Sequence, residues 1–114
     1  MKKDPKIFLL DILDSVENIE KYTKNITKDQ FFDNLQVQDA VVRRIEIIGE
    51  AVKNLPNEVR KKHPEIPWKD IAGTRDVIVH DYSGIDIDLV WEIVHDNIPK
   101  LKKQIANILR ATRE

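Results

Sequence analysis

The segment VQDAVVRRIEIIGEAVKNLP, residues 37–56, carries the clearest helical pattern in this chain. Its apolar residues recur every three or four positions and therefore share one face of a helix. They are Val37, Val41, Ile45, Ile48, Val52 and Leu55. Pro56 follows directly and ends the pattern, because proline has no backbone N–H to continue the helical hydrogen bonds. The segment predicts a long amphipathic helix whose apolar stripe packs on neighbouring helices.

Similar spacing before and after this segment predicts further helices. A first helix is expected from about Pro5 to Lys24. Thr27 and Gln30 match a capping box, in which the side chain of each accepts a hydrogen bond from the backbone N–H of the other. Residues 57–62 are expected to form a short helical turn.

A third helix is expected from about Trp68 to His80, with Pro67 suited to its first turn. The VIV run at 77–79 is β-prone, but three residues are a weak objection inside a helical pattern. The stretch Tyr82-Ser83-Gly84 is expected to end this helix.

The last helix is expected to be capped by Asp86 or Asp88 and to be kinked or divided at Pro99. No alternation typical of strands persists along the chain. The pattern therefore predicts an all-α fold, an antiparallel bundle of four main helices. A length of 114 residues fits one domain, so residues 1–114 are expected to form a single domain.

Composition argues against several classes of protein. The chain is 41% hydrophobic and 34% charged, which suits a globular core with a hydrated surface and neither disorder nor a membrane class. It contains no cysteine, so disulfides and thiolate chemistry are excluded. The N-terminal apolar run is interrupted at Asp11, so no signal peptide or transmembrane segment is expected and a cytoplasmic protein is predicted. A net charge of −1 argues against a module that binds nucleic acid mainly by neutralising phosphates.

The stretch RDVIVHDY, residues 75–82, brings an arginine, a histidine and a tyrosine close together in sequence. On a helix, Arg75 and His80 would point about 140° apart, so one chain would not direct both at one substrate. Two chains related by a twofold axis could each present this pair to a shared cleft. The motif therefore hints at a homodimer with a composite site. Asp76 lies four positions before His80, within reach to orient its imidazole.

These residue types suit metal-independent cleavage of RNA through its 2′-hydroxyl group. Histidine transfers protons near neutral pH, and arginine stabilises charge that develops on a phosphate. The three histidines are scattered without an HExxH or DxD-type cluster, so no metal site and no cofactor are expected. A structural role is the alternative, because the helix dipole favours a cation such as His80 near a C-terminus and Tyr82 suits an amphipathic boundary. The residues by themselves leave both interpretations open.

RDVIVHDY matches the R-x4-H-x-Y pattern of HepT-like toxins, small helical ribonucleases of the HEPN superfamily. The resemblance continues, in order and with the same spacing, through residues 37–56, IPWKDIAGTRDVIVHDYSGID (66–86) and VWEIVHDNIPKL (90–101). It implies an antiparallel bundle of four to five helices that forms a homodimer, in which paired motifs line one cleft. It also implies a metal-independent endoribonuclease toxin, with tRNA among the substrates of the family and with Arg75 and His80 as the catalytic pair.

The same resemblance implies a partner that controls the toxin. HepT-like toxins are usually encoded beside a minimal nucleotidyltransferase antitoxin of the MNT type, which can transfer AMP from ATP onto the motif tyrosine. Here the acceptor would be Tyr82, and the added bulk and negative charge would obstruct and repel RNA. Two alternatives remain: a catalytically inactive HEPN module that binds nucleotides or this partner, and a purely structural helical adaptor.

The long helix of residues 37–56 carries candidates for supporting roles. Arg44 is a candidate for lining the cleft, and Glu50 for bracing Arg75 or Arg44. The alternative is a solvated helix face with ordinary ion pairs. Glu46, one turn before Glu50, is expected to belong to such a face.

Two glycines fall inside predicted helices. Gly49 and Gly73 each cost the helix about 1 kcal/mol relative to alanine. A close approach between two helices near the motif is the expected reason for both.

Overall fold

The computed structural model describes residues 4–80 and 84–112, and over them it confirms an all-α bundle to which a small β-hairpin is added. The elements are α1 (Pro5–Thr23), α2 (Lys28–Phe32), α3 (Leu35–Asn54), α4 (Asn57–Lys62), α5 (Trp68–Ala72), α6 (Thr74–Ile78), β1 (Val79–His80), β2 (Gly84–Ile85), α7 (Ile87–Glu92), a π-helical turn (Ile93–Asn97) and α8 (Ile98–Thr112). The predicted first helix, long central helix and short turn at 57–62 correspond to α1, α3 and α4.

The core lies between the apolar faces of α1, α3 and α8. Its buried side chains include Leu9, Ile12, Val16 and Ile19 of α1, Val41, Ile45, Ile48 and Val52 of α3, and Ile98, Leu101, Ile105 and Ile108 of α8. Fully burying one such side chain stabilises the fold by roughly 1.5–3 kcal/mol. Charged residues occupy the outer faces, and across the described ranges no helix is long and apolar enough to cross a membrane.

Side-chain caps begin the helices where the sequence predicts them. The Thr27 hydroxyl accepts from the Gln30 N–H at 3.1 Å, and the Gln30 side chain accepts from the Thr27 N–H at 2.9 Å, which confirms the capping box. Asp86, rather than Asp88, caps α7 by accepting from the Leu89 N–H at 3.2 Å. These bonds satisfy backbone donors that a helix leaves unpaired at its start.

The prediction of one helix from Trp68 to His80 is wrong. The chain turns at Gly73, which separates α5 from α6, and the helix ends after Ile78. Val79 is extended, with φ −101° and ψ 119°. Its branched side chain fits a pleated strand at least as well as a helix, and pairing with β2 supplies hydrogen bonds that helical spacing alone does not predict. Within the run at 77–79, Val77 and Ile78 are therefore helical, while Val79 is extended.

The hairpin formed by β1 and β2 determines how His80 is presented. The strands pair antiparallel, with Val79 opposite Ile85 and His80 opposite Gly84. Gly84 has a φ of 80°, a left-handed conformation that glycine adopts without steric penalty. Because side chains alternate along a strand, Val79 packs against the core while His80 is exposed.

A π-helical turn interrupts the C-terminal α-helix just before Pro99, close to where the sequence predicts a kink or a division. Proline cannot donate the backbone hydrogen bond that an α-helix requires at this position. The π-helical turn Ile93–Asn97 immediately precedes α8, and the Ile98 N–H bonds the carbonyl of Ile93. The wider π-helical turn accommodates the backbone hydrogen bond that Pro99 cannot donate, so that α8 continues along the core.

Gly49 brings α5 against α3, whereas Gly73 has another role. A Cβ atom added at Gly49 would lie 3.3 Å from the carbonyl oxygen of Ala72, a tighter contact than side chains usually make. The close approach predicted for Gly49 is therefore confirmed. Gly73 lies between two helices, and a Cβ there would be 3.5 Å from the Lys69 carbonyl, an ordinary contact. The predicted reason for Gly73 is wrong.

Candidate active site

Arg75 projects from the first turn of α6 and is held by a residue of α3. Its Nε donates to the Oε2 atom of Glu46 at 2.8 Å. Its Nη1 lies 3.8 Å from Oδ1 of Asp76, whose side chain is almost fully exposed. The guanidinium is thus anchored on one edge, while more than half of the Arg75 side chain remains open to solvent.

Glu46, not Glu50, braces Arg75, so the sequence-based assignment of these two residues was wrong. The Glu46 side chain is 29% exposed and faces α6, whereas that of Glu50 is 70% exposed and pairs with Lys53 at 3.4 Å. Glu46 lies three residues before Gly49, where α5 reaches α3 most closely. The position of that contact along α3 decides which carboxylate meets Arg75.

A depression of about 370 Å³ lies beside Arg75, between α3 and the α5–α6 segment. Its charged lining residues are Arg43, Glu46, Glu50, Lys53, Arg75 and Asp76. The four contributed by α3 recur at helical spacing and form a stripe beside the apolar one. That charged stripe was visible in the sequence and could have identified this face.

Arg44 does not line this depression, and its role in lining the cleft of a dimer stays a prediction. Its Nη1 lies 3.7 Å from Oδ2 of Asp14 on α1. Neighbouring residues of a helix point about 100° apart. Arg43 therefore faces the depression while Arg44 faces α1.

His80 lies beyond the helix that carries Arg75. Because α6 ends at Ile78, His80 does not share a helix with Arg75 and Asp76. The predicted angle of about 140° between Arg75 and His80 therefore does not apply, and neither does the predicted one-turn spacing from Asp76 to His80. Asp76 lies instead near Nη1 of Arg75, and its role toward His80 stays a prediction. The exposed imidazole and the open edge of the guanidinium can both reach an external substrate. Tyr82 lies outside the described residues.

The other histidines are engaged elsewhere. The His95 ring stacks on Trp91 with centroids 3.9 Å apart, and its Nδ1 lies 3.2 Å from the Trp91 carbonyl oxygen. His63 lies 3.6 Å from a carboxylate oxygen of Glu65. In the part of the chain that the structure describes, no three His, Asp or Glu side chains converge in a group that could hold a metal ion.

Comparisons with known proteins agree on one family. The profile of the ribonuclease HepT-like family matches residues 12–108. A Methanocaldococcus jannaschii protein named "gamma-glutamylcyclotransferase and putative RNase" is 55% identical over 109 residues, which are 96% of this chain but 49% of that protein, so the chain spans about half its length. A Thermococcus cleftensis protein named "probable ribonuclease HepT" is 44% identical over 102 residues, 90% of this chain and 93% of that protein. A "putative RNase" of Caldanaerobacter subterraneus is 44% identical over 108 residues, 95% of this chain and 96% of that protein. No solved structure gives a significant match.

Proposed function

Because the chain belongs to the ribonuclease HepT-like family, we propose that it is a toxin that cleaves RNA internally without a metal ion. The observation that carries this proposal is the exposure of both Arg75 and His80 within a complete R-x4-H-x-Y motif. The relatives named as ribonucleases support the substrate class. The RNA target, for which tRNA is the first candidate, belongs to the proposal.

The proposed reaction is an internal transfer at one phosphodiester. An imidazole of His80 removes the proton of a 2′-hydroxyl, whose oxygen attacks the adjacent phosphorus. The bond from phosphorus to the 5′-oxygen breaks, and a second imidazole returns a proton to that leaving oxygen. Arg75 stabilises the negative charge on the phosphoryl oxygens as the pentavalent arrangement forms. The products are a 2′,3′-cyclic phosphate and a free 5′-hydroxyl.

Two histidines at one phosphate require two chains, so the proposed enzyme is a homodimer. Each chain supplies one Arg75 and one His80 to a shared cleft. Val77, between them in the motif, is 56% exposed although it is apolar. An exposed apolar side chain beside the charged motif suits a face that a second copy covers.

Control by a nucleotidyltransferase of the MNT type is also part of the proposal. The phenolic oxygen of Tyr82 would attack the α-phosphorus of ATP, which releases pyrophosphate and leaves AMP on the oxygen. The phenolic proton passes to a base of the partner enzyme or to solvent. The added phosphodiester would bring bulk and negative charge to the motif, and these would obstruct RNA and repel its backbone.

Cleavage of RNA by the unmodified protein in EDTA tests the proposal. Wild type is expected to cut tRNA and to leave cyclic phosphate ends, while His80→Ala and Arg75→Ala are expected to lose nearly all activity. Equal activity in the three proteins would reject this mechanism, and none in any of them would favour the inactive HEPN module. Incubation with the MNT partner and ATP is expected to add one or more AMP masses to wild type and none to Tyr82→Phe.

A further inference from the structure

The contact between Arg75 and Glu46 involves only one edge of the guanidinium. Oε2 of Glu46 accepts from Nε at 2.8 Å, and this bond joins residues 29 positions apart in sequence. A carboxylate that neutralised Arg75 fully would bind two nitrogens side by side. Among residues 4–80 and 84–112, the terminal amino groups meet only the exposed carboxylate of Asp76, at the longer distance of 3.8 Å. These residues therefore leave open the edge of the guanidinium that can bind two phosphate oxygens at once.

Glu46 is itself well placed to serve as an anchor. It belongs to α3, a helix of 20 residues whose apolar stripe is buried in the core. Its carboxylate is more buried than that of any other acidic partner of an arginine among the described ion pairs. Nearby, the contact of Gly49 with Ala72 holds α5 in register with α3. The anchor and the element that carries Arg75 are thus held together by packing as well as by charge.

We propose that Glu46 is a positioning residue, which holds Arg75 through Nε so that its terminal amino groups point at the scissile phosphate. This inference rests on the proposed function and adds to it a residue on another helix. A free arginine has many side-chain rotamers, and restricting them before RNA arrives removes that loss of entropy from the reaction. The negative charge of Glu46 weakens attraction to phosphate somewhat. The orientation requires only an acceptor at Nε, and a neutral amide oxygen supplies one.

The test compares two changes at Glu46 with a matched change elsewhere. Glu46→Ala removes the acceptor, whereas Glu46→Gln keeps an oxygen that can accept from Nε of Arg75. Asp14→Asn is the matched control, because it weakens the contact of Asp14 with Arg44, which lies away from the depression. Glu46→Ala is expected to lower kcat on the order of 100-fold with a smaller change in KM, because a misdirected group loses rate more than binding. Glu46→Gln is expected to retain most of kcat, and Asp14→Asn all of it. Thermal melting of each variant separates loss of fold from loss of orientation.

A double-variant cycle decides whether Glu46 acts through Arg75. In an Arg75→Ala background, adding Glu46→Ala is expected to cause no further loss, because the group to be oriented is absent. A wild-type kcat for Glu46→Ala, a gain in activity, or an equal loss in both backgrounds would overturn the inference. If wild type cuts RNA and Arg75→Ala retains only a small, measurable part of that activity, such a result rejects the positioning role alone. If wild type cuts no RNA, the proposed function falls, and the positioning role falls with it.

Discussion

Replacing Gly49 by valine is expected to push α5 away from α3 and to disturb both the fold and the candidate site. A single Cβ at this position would already lie 3.3 Å from the Ala72 carbonyl oxygen and 3.6 Å from that of Ile71. Valine adds two more methyl carbons to the same space. The carbonyl groups belong to the backbone of α5, so relief requires movement of the helix and not of a side chain.

The magnitude follows from two opposing terms. Overpacking of this kind costs about 1–3 kcal/mol, while replacing glycine by valine inside a helix gains about 0.4 kcal/mol in propensity. The free energy of unfolding should therefore fall by about 0.6–2.6 kcal/mol. For a chain of this size, that lowers the melting temperature by about 2–10 °C. The kcat for RNA cleavage should fall as well, because α6 and Arg75 follow α5.

Thermal and urea unfolding followed by circular dichroism measure this change directly. Gly73→Ala is the matched control, since its Cβ would meet only ordinary contacts and the φ of Gly73 is −96°. That variant is expected to melt close to wild type. A Gly49→Val protein with the wild-type melting temperature would refute the reasoning, because the close approach of α3 and α5 would then not require glycine.

Three further predictions concern RNA binding, assembly and the hairpin. Arg43→Ala, in a His80→Ala background that prevents cleavage, should reduce the slope of log affinity against log salt by about 0.7 if Arg43 meets one phosphate of single-stranded RNA. Arg44→Ala, which alters the face toward α1, should change this slope less. Equal slopes for the two variants would contradict the assignment of Arg43 to the RNA-binding face. Val77→Glu should convert the proposed dimer to a monomer in sedimentation experiments and abolish cleavage. Leu35→Glu, at a site that is 72% exposed at the start of α3, should do neither. A dimer that survives Val77→Glu would place the interface elsewhere. Gly84→Ala should destabilise the hairpin by about 1 kcal/mol, because a φ of 80° is unfavourable for alanine. It should also lower RNA cleavage by displacing His80. An unchanged melting temperature and unchanged cleavage would exclude a role for the hairpin.

The sequence by itself determined the long helices, the capping box and the motif. Helical spacing in α1 and α3 and the capping box at Thr27 and Gln30 depend on residues within four positions of one another, so a local pattern contains the needed information. The family resemblance rests likewise on contiguous stretches, and the family profile covers residues 12–108. Division of the last helix at Pro99 follows from the missing N–H of one residue.

Only the tertiary structure decided which residues surround the motif. Whether the run at 77–79 stays helical depends on pairing with β2, because its β-branched residues are compatible with both conformations. Glu46 meets Arg75 across 29 positions because α5 docks on α3 at Gly49, while Glu50 pairs with Lys53. Arg43 and Arg44 are neighbours in sequence, yet the side of α3 on which α1 packs separates their roles. Local hydrogen bonds and periodicity specify elements, whereas the partners of a side chain depend on how those elements dock.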